Sequence, residues 1–217
     1  MSTTPHPAYE SSRTGLLLVD PYNDFLSEGG KLWPRVKAVA DQVGLIANMK
    51  AILRVVREKD IQVFIVPHHR WERGDYARWK HPNRSQLASA KTELVAKGSW
   101  GGEWHPDFGP QEGDVLIKEH WAQSGFANTD LDQQLKQHGV EKVILIGLVA
   151  NTCIESTGRF AMELGYHVTL VKDGTAAFSQ EMMHAAHELN GPTFAHAILS
   201  TTELITALET PSSPGSM

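Results

Sequence analysis

Short apolar runs alternate with longer stretches of helical period along this chain. Leu16-Leu17-Leu18-Val19 is an apolar run of the kind expected for a strand buried on both faces. Ile61 to Val66, Val115 to Lys118, Val143 to Ile146, His167 to Val171 and a weaker Ala197 to Leu199 repeat that signal. Between the first two runs, Pro34 stands where a helix would begin. Val36, Val39, Val43, Ile46, Met49 and Leu53 then recur at helical spacing, which predicts one helix to about Lys59. Thr129 caps a predicted helix over Asp130 to His138, and Gly139 closes it. A further helix is expected over Thr152 to Leu164, closed by Gly165, with Ile154, Phe160, Ala161 and Leu164 on its apolar face. Ser179 opens one more, to Leu189, and Thr201 or Thr202 opens the last. Strands in alternation with helices imply βαβ units, hence an α/β fold of three layers. Its mainly parallel, six-stranded, Rossmann-like sheet is covered on both faces.

The pattern fails between residues 67 and 112, a segment rich in Trp, Gly, Pro and His. A long irregular insertion of this kind is expected to be a functional lid or an oligomer contact. Residues 1–13 are polar and read as a flexible arm, 14–209 as one domain, and 210–217 as a flexible tail.

Composition narrows the function. The chain has 217 residues, is 41% hydrophobic and 21% charged, and carries a formal charge of −5, as expected for one soluble domain with a real core. It shows no basic stripe that would suit nucleic acid. No apolar run is long enough to span a bilayer, and the first residues have no signal-peptide core. With one cysteine no internal disulfide can form, so a reducing cytoplasm is the expected compartment.

That cysteine, Cys153, lies where the fourth strand gives way to a helix. Ligands of open α/β sheets sit beyond the carboxyl ends of the strands. Asp20 ends the first strand, Lys118 the third, and a short loop leads from the fourth to Cys153. A carboxylate, an ammonium and a thiol are thus expected on one rim. A helix N-terminus and a nearby lysine would both favour the thiolate. Asp20 could accept the thiol proton and later pass it to a leaving amine. Backbone amides of the turn 148–153 could hold an oxyanion. Each residue also has a plain structural reading: Cys153 as a small buried hydrophobe, Asp20 as a loop cap, Lys118 as a solvated charge.

Taken together, these segments resemble the isochorismatase-like cysteine hydrolases, which include nicotinamidases and related amidohydrolases. LLLVDPYNDF is similar to the first-strand motif, GDVLIKEHW to the lysine strand, and the stretch from SGFANTDLD through GLVANTCIESTGR to KDGTAAF to the longest signature. The similarity runs from about residue 14 to residue 207. It implies an Asp-Lys-Cys triad at Asp20, Lys118 and Cys153. It also implies a non-proline cis peptide at Leu148–Val149 or Val149–Ala150, and an oxyanion hole drawn from Val149, Ala150 and Cys153. The interval from Lys118 to Ser124-Gly125-Phe126 is longer than the family pattern. His120, on the expected face of Lys118 by the period of two, is therefore the alternative third member. Glu119, Trp121 and Phe126 are candidates for the substrate side. Nicotinamidases carry an Asp-x-His and a second His for a metal. Here the second strand ends in His68-His69 without that motif, so no metal and no cofactor are expected. His184 and His187 share a helix face, which would let them bind a metal, but they read first as a solvated or interface pair.

The resemblance therefore implies a cysteine-dependent amidohydrolase that cleaves an amide, ureide or lactam C–N bond of a small molecule through a thioester. Trp71, Trp79, Trp100, Trp104 and Trp121, with Phe126, would wall the pocket or form a subunit interface. A homo-oligomer, dimer or tetramer, is implied, with no nucleic-acid or membrane partner. The alternatives are isochorismatase-type ether hydrolysis, which does not use a cysteine there, and a non-catalytic binding relative.

Overall fold

In the computed structural model, which describes residues 8–210, six parallel strands lie in the order β3-β2-β1-β4-β5-β6. They are β1 (Thr14–Val19), β2 (Gln62–Val66), β3 (Val115–Leu116), β4 (Lys142–Leu148), β5 (His167–Ala176) and β6 (Ala197–Leu199). The order reverses between β1 and β4. Connections leaving those two strands diverge there and open a crevice at their carboxyl ends.

The helices are α1 (Asn23–Leu26), α2 (Trp33–Val43), α3 (Leu45–Glu58), α4 (Arg84–Thr92), α5 (Leu131–Gln137), α6 (Glu155–Glu163), α7 (Gln180–His184) and α8 (Thr201–Glu209). Alternate residues of β1 face opposite layers. Leu16 and Leu18 pack with α2, α3 and α8, whereas Leu17 and Val19 pack with α5 and α6. Every residue of β1 is buried, as its unbroken apolar run requires.

Several expectations change. The helix predicted from Pro34 to Lys59 is two helices, because Gly44 adopts a left-handed φ of 70° between them. The insertion holds α4, capped by a reciprocal Asn83–Gln86 box. This helix buries none of its residues, so no apolar period marks it. Cys153 is not in the first turn of a regular α-helix. It lies in a wider, π-type turn, Ala150–Ile154, that runs into α6. The Leu148–Val149 peptide is cis, at one of the two positions expected. Of the arm expected at 1–13, residues 1–7 lie outside the described residues, as do 211–217 of the expected tail. Residues 8–13 are tied down: Tyr9 Oη lies 2.9 Å from Thr169 Oγ1, and Lys142 donates to Glu10. His187 is a buried core residue bonded to Thr175 and the Met183 carbonyl, not half of a solvated pair.

Candidate active site

Asp20 follows β1 directly, with a positive φ of 57° and no exposure. Its amide donates to the Val66 carbonyl, which continues the sheet's bonding one residue past the strand. Gly147 lies beside it in the sheet. A Cβ there would come 2.2 Å from the Val19 carbonyl oxygen. Glycine at that position is what lets β4 approach β1 closely enough to bring the Cys153 turn against Asp20.

The third member of the site comes from the segment after β3. Here the period of two breaks. Ile65 pairs with Leu116, but His68 pairs with His120, so the second chain spends one residue more over the same interval. A bulge of this kind re-aims side chains. Ile117 and His120 are buried and Lys118 is exposed, with its amide bonded to Asp130 Oδ1. Of the two alternatives the sequence left open, His120 and not Lys118 lies beside Asp20. His120 Nε2 donates to Asp20 Oδ1 at 3.0 Å, and neither side chain is exposed. Ligating atoms of Asp20, His120 and Cys153 all lie within 4.8 Å of one another.

The Cys153 sulfur lies 3.8 Å from the Ala122 carbonyl and 3.9 Å from Thr152 Oγ1. Burial pushes the thiol pKa well above its ordinary value, and the negative charge of Asp20 adds to that, while the Val149 amide acts the other way. Burial and that charge both work against the thiolate that a helix terminus and a lysine would favour. The Val149 amide lies beside the sulfur, at the start of the turn that holds Ala150 and Cys153.

Cys153 opens into a cavity of about 380 Å³ beyond the carboxyl ends of the strands. Phe25 and Phe178 contribute its aromatic surface. Lys31, Arg35 and Arg84 stand on its lining, and no aspartate or glutamate does among the described residues. Arg35 lies over the Phe178 ring at 4.2 Å. His68 is also on the wall. Its Nδ1–H donates to the His69 carbonyl, which leaves Nε2 as an acceptor, and burial holds its pKa down, so it is neutral. A cavity of similar size touches Lys142 and His167, at the amino ends of β4 and β5, where this architecture places no ligand.

The expected aromatic wall is not there. None of Trp71, Trp79, Trp100, Trp104, Trp121 and Phe126 lines the cavity of Cys153. Trp104 stacks on Tyr22 and Trp121 on His69, while Phe126 packs in the core. Glu119 faces Arg70 and His69. Burial alone would raise its pKa, but hydrogen bonds from His69 and Arg70 hold it down, at about 2. Arg35, Arg84, Phe178 and His68 were not identifiable as pocket residues from sequence. They come from α2, α4, the segment after β5 and the end of β2, and no shared local signal connects them. Asp24 was also missed. It accepts from the amides of Lys31 and Val95 and so ties two wall segments together.

A parallel αβα fold with a buried Asp-His-Cys group at its switch point defines a class of small-molecule hydrolase candidates. The Isochorismatase domain family matches residues 14–202, so the chain belongs to the isochorismatase family. Ureidoacrylate amidohydrolase RutB of Rhizobium rhizogenes is 30% identical over 199 residues, covering 86% of this chain and 80% of that one. The RutB of Agrobacterium fabrum is 29% identical, with 86% of each chain covered. A cysteine hydrolase from Pseudomonas syringae superposes with a TM-score of 0.76 at 26% identity, over 96% of this chain and 99% of that one. N-carbamoylsarcosine amidase from Thermoplasma acidophilum shares the fold, with a TM-score of 0.62 at 24% identity over 88% and 98% of the two chains.

Proposed function

We propose that this hydrolase of non-peptide carbon–nitrogen bonds cleaves the ureido group of a small organic acid, with Cys153 as nucleophile. The carrying observation is the thiol within 4.8 Å of a buried carboxylate, at a cavity whose only charged wall residues are cationic. The similarity to ureidoacrylate amidohydrolases supports the same reading.

The neutral thiol and the carboxylate work as a pair. As Sγ attacks the carbamoyl carbon, its proton passes to Asp20, so no free thiolate need accumulate in the buried site. His120 holds Asp20 by one oxygen and leaves Oδ2, which has no other hydrogen bond, to face the proton. The developing oxyanion meets the amides of the 149–153 turn. Asp20 then protonates the leaving amine, and an S-carbamoyl thioester remains on Cys153. Water attacks that thioester, Asp20 passes the water's proton to the leaving sulfur, and carbamic acid departs and breaks down to carbon dioxide and ammonia, so the thiol is restored. His68 Nε2 accepts a hydrogen bond from a substrate N–H. Arg35 and Arg84, which have no ion-pair partner among the described residues, receive the acid group.

The test is ammonia release from a panel of ureido acids, uncharged ureas and primary amides, with lactam opening followed by chromatography and Cys153→Ala run alongside. Turnover of ureido acids by the wild type alone is expected. Equal turnover by Cys153→Ala would reject the nucleophile and favour ether-type or water-based hydrolysis.

A further inference from the structure

The bulge after β3 has a chemical consequence beyond geometry. The family pattern implies a lysine as third member, and a protonated lysine offers no lone pair to a metal. Imidazole does. With His120 in that place the site becomes carboxylate, imidazole and thiol, a donor set suited to zinc.

The geometry agrees. Zinc holds sulfur at about 2.3 Å and nitrogen or oxygen at about 2.0–2.2 Å, which puts tetrahedral ligand pairs roughly 3.3–3.6 Å apart. Here Nε2 and Oδ1 are 3.0 Å apart, and one donor atom from each of the three residues lies within 4.8 Å of the other two. Asp20 Oδ2, the oxygen that meets the thiol proton in the proposed mechanism, makes no hydrogen bond within a side chain of no exposure, so it is equally open to a cation. Cys153 connects the group to the cavity, which gives an ion a way in and a water the fourth position.

We infer that Asp20, His120 and Cys153 form a reversible zinc site that switches the enzyme off. On binding, a Zn–Sγ bond forms and the thiol proton leaves to solvent, while the His120 proton moves from Nε2 to Nδ1. The sulfur lone pair that would attack substrate is then engaged. His120 Nδ1 is buried without a partner, so the ring lacks the outer hydrogen bond that strengthens metal-bound histidines. Such a bond is worth about 10–100-fold in affinity, which makes this an exchangeable site and not a permanent one. Inhibition rests on Cys153 being the nucleophile; binding does not.

Equilibrium dialysis of the full chain against Zn²⁺ tests the binding, with wild type, Cys153→Ala and His120→Lys compared. One zinc per wild-type chain is expected, with affinity lower by more than about tenfold in either variant. Cobalt(II) added to the wild type should give a thiolate charge-transfer band, which needs no variant to fold. Zinc should also block alkylation of Cys153 until a chelator is added. No bound zinc, or equal binding by all three proteins without the cobalt–thiolate band, would overturn the site. Neither result depends on finding the substrate, so failure of the ureido-acid reading would leave zinc binding intact, and the reverse.

Discussion

His120 reaches Asp20 across 3.0 Å with both side chains wholly buried, although 100 residues separate them. The contact fixes one carboxylate oxygen and leaves the other without a hydrogen bond. It also separates two neighbours that look equivalent in sequence, Lys118 and His120. Replacing His120 with Ala should lower kcat by about 10²–10⁴-fold, the range for losing a group in proton-transfer machinery. Lys118→Ala should leave kcat within about twofold, because its side chain is at the surface. Steady-state kinetics on the two variants decides between them.

Asp20→Asn should separate thiol reactivity from turnover. The negative charge of Asp20 helps keep the thiol protonated, so removing it should lower the thiol pKa and speed alkylation by iodoacetamide at pH 8. Turnover should nevertheless fall to background, since Asn cannot take the proton. Slower alkylation in a folded variant would contradict the assigned charge effect.

The cationic wall predicts a split in kinetic constants. Arg84→Ala and Arg35→Ala should each raise KM for a ureido acid about tenfold, with little change in kcat, as expected when uniform binding is lost. An uncharged urea should show no such change. Equal effects on both substrates would mean that the arginines serve packing and not recognition.

Gly147→Ala should destabilise the protein by at least about 2 kcal/mol, for overpacking and an unfavourable backbone act together. The added Cβ would meet the Val19 carbonyl at 2.2 Å, and φ is +113°. Thermal unfolding measures the loss, and residual activity should fall further than stability because β1 carries Asp20.

Glu119 makes stability depend on pH. Its folded pKa, about 2, is below the unfolded value, so its contribution is present above the ordinary carboxylate range and is lost as pH falls toward 2. His69, whose pKa is raised, contributes below the ordinary imidazole value and loses that as pH rises through its own. Burial opposes this rise, but the bonds to Glu119 and Asp75 outweigh it. Glu119→Gln should therefore melt lower than wild type near pH 5, with the gap closing toward pH 2. A gap that stays constant over that range would show that charge is not its cause.

By itself the sequence determined the layered α/β fold and the places of Asp20 and Cys153. Those features rest on local causes. Apolar runs such as Leu16 to Val19 can only be buried strands, and residues at strand ends are carried to one rim by the parallel architecture. Helix breaks and caps were partly legible in the same way: Ser179 caps as expected, whereas the break at Gly44 was hidden within an unbroken apolar period. Tertiary structure decided the rest. The extra residue between Leu116 and His120 shows only against its partner strand, and it alone turns His120 inward and Lys118 out. The cavity walls come from separate segments whose meeting no local pattern encodes. The upward push on the thiol pKa comes from burial and from the charge beside it, both properties of the assembled core and not of any stretch of chain.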